Sequence, residues 1–105
     1  MAVKVYNKLV RDLIPDIIEK SGKSCRTRIL SDTEYLEMID AKLDEELAEY
    51  HKDKNLEELA DLLELIYTAT LARGYTLDEL HAIRAEKAQH RGGFKKKILL
   101  VDVTE

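Results

Sequence analysis

With one cysteine, one proline and four glycines in 105 residues, this chain has few points at which it can be cross-linked or broken. Cys25 has no second cysteine to pair with, so an internal disulfide is excluded and a reducing compartment is the natural setting. Lone and close to an expected strand, it reads as a packing or surface residue rather than a nucleophile. There is no linker, low-complexity tract or internal repeat, so residues 1–105 read as one domain with a modest core. No apolar run approaches the roughly 18 residues needed to span a membrane. The opening MAVKVYNKLV also lacks the apolar core of a signal peptide, so the expectation is a cytoplasmic protein with no membrane partner. A basic excess is missing too. Lys and Arg number 17 against 21 Asp and Glu, a net charge of −4, and a nucleic-acid partner needs the opposite balance.

What the chain does contain is 45% hydrophobic and 36% charged residues, a balance that suits a helix-rich fold. The charges are segregated, with acids dominating 32–64 and bases dominating 84–97. Residues 3–9 (VKVYNKL) lean toward a short strand, and 26–30 (RTRIL) toward another. A first helix is expected over 12–20, with Pro15 in its first turn, where a missing N–H costs little. Ser31 followed by Glu34 has the form of a capping box, opening a helix to about residue 51. Leu36, Ile39, Leu43, Leu47 and Tyr50 form its apolar stripe. Asn55 with Glu58 opens the next helix, closed by Gly74 after Arg73, and Thr76 with Glu79 opens a last one, ended by Gly92 and Gly93. The tail FKKKILLVD is the best strand candidate and a partner for an N-terminal strand. The expected fold is therefore mainly α, an antiparallel helical bundle with short accessory β-strands at the N- and C-termini. Helix 55–73 is apolar over more than half its circumference, with Leu59, Leu62, Leu63, Leu65 and Ile66 among its residues. So wide a face is buried on more than one side. One small chain cannot cover it, so the bundle is expected to be completed by oligomerisation, as a homodimer or homotetramer.

The stretch EELAEYHKDKNLEELAD (45–61) carries two acidic pairs, Glu46 with Glu49 and Glu58 with Asp61. They lie symmetrically about one short break. Residues three apart on a helix rise about 4.5 Å and are side-chain neighbours. If the break is a turn between antiparallel helices, Glu49 opposes Glu58 and Glu46 opposes Asp61, while Glu45 points to solvent. Taken singly, such acids are usually a solvated helix face, and Glu58 has a second use as the cap partner of Asn55. Taken together at partly buried positions they repel, and something positive should sit among them. A divalent cation removes the repulsion, and all-oxygen ligation suits Mg²⁺, with Mn²⁺ as a substitute. A di-iron centre is disfavoured because its usual Glu-x-x-His pairs are absent. His51, His81 and His90 do not share that spacing with the acids, so each reads as surface or polar packing, and zinc is disfavoured for the same reason.

The last helix begins with Leu77 and Leu80 on one face and continues that face with Arg84, Lys87 and Arg91. Cations near a helix C-terminus interact well with the macrodipole, which by itself explains them. Beside an acidic metal site, Lys87 and Arg91 become clamps for phosphate oxygens. Lys8 and Arg11 in YNKLVRDLIP are further substrate-binding candidates.

These residues carry a resemblance. EELAE followed by EELAD is similar to the ExxE…ExxD pattern of the MazG-like all-α nucleotide pyrophosphohydrolases. YNKLVRDLIPDIIEKSGK and IRAEKAQHRGGF look like the phosphoribosyl-ATP pyrophosphohydrolase-like branch of that superfamily. The resemblance covers nearly the whole chain. It implies Mg²⁺-dependent hydrolysis of a nucleoside triphosphate between the α and β phosphates, giving a monophosphate and pyrophosphate. It implies Glu46, Glu49, Glu58 and Asp61 as metal ligands at the catalytic centre, and Lys87 and Arg91 as the basic positions that follow. Where many relatives have an Asn shortly before that lysine, this chain has Arg84, Ala85 and Glu86. House-cleaning of non-canonical nucleotides is the expected role. The alternatives are phosphoribosyl-ATP hydrolysis in histidine biosynthesis and a non-catalytic oligomeric module that binds nucleotides or partners.

Overall fold

A computed structural model describes residues 2–105, and four helices account for its regular structure: α1 (Ile14–Lys20), α2 (Asp32–Asp53), α3 (Leu56–Ala72) and α4 (Leu77–Arg91). Their starts are set by local hydrogen bonding. The Ser31 hydroxyl accepts from the Glu34 N–H at 3.2 Å while the Glu34 carboxylate accepts from the Ser31 N–H at 3.3 Å. Thr76 and Glu79 repeat the exchange at 3.1 Å in both directions. Each box satisfies two N–H groups that the first helical turn leaves without partners. Pro15 sits in the first turn of α1. Gly74, at φ 88, takes up a left-handed conformation in the turn between α3 and α4 that a side chain would disfavour.

α2 and α3 form an antiparallel hairpin across the two-residue connection Lys54–Asn55, and α4 leans on α3. The second contact includes the Tyr67 ring edge-on to His81, with centroids 5.7 Å apart. α1 packs against none of the other helices. The hairpin seam is the expected one for α2: Ile39 is buried, and Leu36, Leu43 and Tyr50 are half-buried beside it. Leu47 departs from that stripe and is exposed. On α3 Leu62, Leu65, Tyr67 and Ala69 are among the half-buried residues, whereas Leu56, Leu59, Leu63 and Ile66 lie open along the helix.

The accessory strands are a correction. No strand forms among the described residues, at 3–9, at 26–30 or in the tail. The candidate segments keep their apolar side chains in solvent, with Val3 at 85% exposure and Leu99 at 84%. A strand needs a partner edge and a face to pack on, and a lone two-stranded ribbon is marginal in water. Residues 2–9 instead reach α2 through side-chain charge, and 98–103 meet no sheet.

The molecule is open. It measures 65 × 31 × 25 Å with a radius of gyration of 18.6 Å, whereas a compact domain of this length has about 13 Å. Its accessible surface is 9834 Å², against about 6,000 Å² for a compact monomer of similar mass. No helix among the described residues is long and apolar enough to cross a membrane.

Candidate functional site

The turn between α2 and α3 decides where the acids go. Lys54 adopts a left-handed conformation at φ 52 and its N–H donates to the Tyr50 carbonyl at 2.8 Å, which stops α2. Asn55 then caps α3, its side-chain oxygen accepting from the Glu58 N–H at 3.0 Å. This cap is one-sided. Unlike Glu34 and Glu79, Glu58 does not bond back to its cap residue, and its carboxyl group turns to Glu46 instead.

The tight turn makes the two helices face each other in the register that the acidic spacing predicts. Carboxylate oxygens of Glu46, Glu58 and Asp61 lie within 4.8 Å of one another, and so do those of Glu49, Asp53 and Glu58. All four predicted acids thus come together, with Glu58 common to both groups. Asp53 was not among the candidates. Its signal was present, since it lies four residues after Glu49 on the same helix face.

Burial and crowding act on Glu58 in the same direction. The Glu58 carboxyl is held above the usual carboxylate range, first by partial burial, then by the close Glu46 carboxyl and by repulsion from Asp61 and Glu49. Side-chain cations lie among these acids. Arg11 donates from Nη2 to Asp61 Oδ1 at 2.7 Å. Lys42 Nζ lies 3.5 Å from Glu46 Oε1 and 3.3 Å from Glu45 Oε2. The signal for Lys42 is local, since it stands four residues before Glu46 on the same helix. Glu45, read as solvent-facing, is corrected: it is half-buried and also accepts from Lys8 Nζ at 2.8 Å. That bond holds the Glu45 carboxyl below its usual range and raises Lys8 above its own, the hydrogen bond being the largest cause in each case.

Lys87 and Arg91 are placed apart from this cluster. With Ile83, Glu86 and His90 they line a shallow open concavity made by α4 alone. The ion pairs of the described residues include neither of them. His51, His81 and His90 are exposed and belong to neither acidic group.

The donor set fits a hard cation by its chemistry. Every available ligand atom is a carboxylate oxygen, and opposite oxygens around Mg²⁺ stand about 4.2 Å apart. The carboxylate oxygens of each group lie within 4.8 Å of one another, close enough for one ion to be shared among them. Nitrogen and sulfur donors, which zinc favours, are not present in either group.

No family model and no solved structure matches the chain. A stretch of 42 residues is 57% identical to an uncharacterized protein of Mycolicibacterium smegmatis (strain ATCC 700084 / mc(2)155). That stretch covers 40% of this chain and 43% of the relative, less than half of either.

Proposed function

We propose that the chain is a Mg²⁺-dependent nucleotide pyrophosphohydrolase, cleaving a nucleoside triphosphate or a related nucleotide between the α and β phosphates. The observation that carries this reading is the meeting of Glu46, Glu49, Glu58 and Asp61 from two helices on one side of a capped turn. Glu46, Glu58 and Asp61 form the less exposed donor group for a divalent ion, and Glu49 with Asp53 extends it through Glu58. When bound, Mg²⁺ or Mn²⁺ supplies Lewis acidity toward phosphate oxygens and acidifies a water molecule. No nucleophilic side chain is needed, and Cys25 has no part. Lys87 and Arg91, on α4, stand apart from the acids; the resemblance alone gives them the role of offsetting charge on the leaving pyrophosphate. The resemblance of EELAE and EELAD to the MazG-like pattern gives the reaction class, and house-cleaning of non-canonical nucleotides is the role proposed, in the cytoplasm.

Assembly belongs to the same proposal. Leu56, Leu59, Leu63 and Ile66 run along α3 at coiled-coil spacing and are 43–79% exposed. The surface in excess of a compact monomer is several times the roughly 800 Å² that each partner contributes to a standard interface. A second copy covering α3 accounts for both, as a homodimer or homotetramer.

Purified protein with Mg²⁺ should release pyrophosphate from at least one member of a nucleotide panel that includes phosphoribosyl-ATP. Silence across the panel with either Mg²⁺ or Mn²⁺ would reject the enzymatic reading.

A further inference from the structure

Residues 2–13 have no regular structure of their own, yet they are tied to the hairpin at both of its helices. Lys8 Nζ reaches Glu45 of α2 at 2.8 Å, and Arg11 Nη2 reaches Asp61 of α3 at 2.7 Å, across sequence separations of 37 and 50. Packing contributes little to this attachment. Leu9 is half-buried, but Val3, Val5 and Leu13 are exposed, and a cavity of about 80 Å³ lies between residues 7–9 and α2. Charge holds the segment down.

The carboxylate that Arg11 holds is one of the three oxygen donors in the less exposed acidic group. We propose that segment 2–13 is a strap whose Arg11 serves as a built-in counter-ion of the acidic group and is displaced when a divalent cation binds there. This rests on the metal reading above. The Asp61 carboxylate cannot hold a guanidinium at 2.7 Å and a metal ion without bringing two positive charges within a few ångströms, so the two oppose each other. The Arg11 side chain is 57% exposed and that of Asp61 36%, and pairs so open to water are weakly held. The dication therefore wins. Arg11, once released, presents a planar fork of donors at the edge of the site, free to meet phosphate oxygens. Arg11 is thus a gating residue. Lys8, whose partner Glu45 lies outside both acidic groups, keeps the strap attached.

The test uses Mn²⁺ alone, with binding to the full chain measured by calorimetry or by the resonance signal of the free ion. Arg11→Gln should bind Mn²⁺ roughly two- to fivefold more tightly than the wild type, because an exposed competitor has been removed. Arg11→Lys should fall between them. Circular dichroism checks that each variant is folded. A second readout needs no variant: saturating Mn²⁺ should speed tryptic cleavage after Arg11, relative to cleavage after Arg28, which pairs with Glu34 outside the cluster. Equal or weaker Mn²⁺ binding by folded Arg11→Gln overturns the strap and leaves the metal reading standing. Unchanged cleavage after Arg11 in Mn²⁺-loaded wild type does the same. Failure of wild type, Arg11→Gln and Arg11→Lys to bind Mn²⁺ at millimolar concentration removes both proposals together.

Discussion

Two charged faces of this molecule both follow the helical repeat in sequence and have different fates in space. On the α2–α3 hairpin, acids three residues apart meet acids from a second helix, and Glu46 is largely withdrawn from water, its side chain 13% exposed. On α4, Lys87 and Arg91 share a helix face just as regular, but no other helix lines the concavity they border. A helical repeat of charge becomes a cluster only where a second element opposes it. The acidic face perturbs its own members, as the raised Glu58 carboxyl records, while the basic face lies in water with its charges spread along one helix.

The severest way to break that contrast is to loosen the seam. Ile39→Ala should cost about 2–5 kcal/mol, the usual range for truncating a fully buried isoleucine, since Ile39 is 1% exposed and is the buried residue of the core. Denaturant melts check this, and the acidic cluster should lose its divalent-ion response along with the packing.

Glu58→Gln addresses the cluster directly. It should lower Mg²⁺-dependent turnover at least a hundredfold, roughly the effect of removing 2.7 kcal/mol of transition-state stabilisation, while raising the melting temperature of the metal-free protein. The sign follows from linkage. A carboxyl with a raised folded pKa favours the protonated fold, so its stabilising contribution is present at low pH and is lost as pH rises through the folded value. The variant should lack that part of the pH dependence. A metal-free Glu58→Gln no more stable than wild type at neutral pH would mean that the acids do not strain the hairpin.

A smaller effect is expected on α4. Lys87→Gln should reduce turnover about tenfold, equivalent to one weakened phosphate contact, with little change in melting temperature. Arg91→Lys keeps the charge and removes the planar fork, so a partial loss is expected there. Full activity in both would leave these residues as ordinary cations near a helix C-terminus.

The mildest prediction concerns Glu34, far from the cluster in role. Its carboxyl is held down to about 2, chiefly by the Arg28 guanidinium and then by the Ser31 N–H and hydroxyl. Its contribution to stability is therefore complete above the ordinary carboxylate value and fades as pH falls through about 2. Arg28→Gln should move the Glu34 midpoint upward in an NMR titration, leaving the cap itself in place. A midpoint unmoved by that change would assign the depression to the cap alone.

What was legible in the chain before folding is whatever depends on near neighbours. The capping boxes at Ser31 and Thr76 and the cap at Asn55 act over three residues, and the helix starts they imply are those observed. The meeting of Glu46, Glu49, Glu58 and Asp61 was legible for the same reason, because a short turn converts sequence symmetry into spatial opposition. The tertiary structure alone decided that Lys8 would take Glu45 and Arg11 would take Asp61, that α4 would leave Lys87 and Arg91 open, and that the expected strands would find no partner edge. Those outcomes depend on the path of the chain between distant residues. Helix periodicity and caps repeat within one or two turns, whereas an ion pair spanning 50 residues exists only when everything between has folded to bring its ends together.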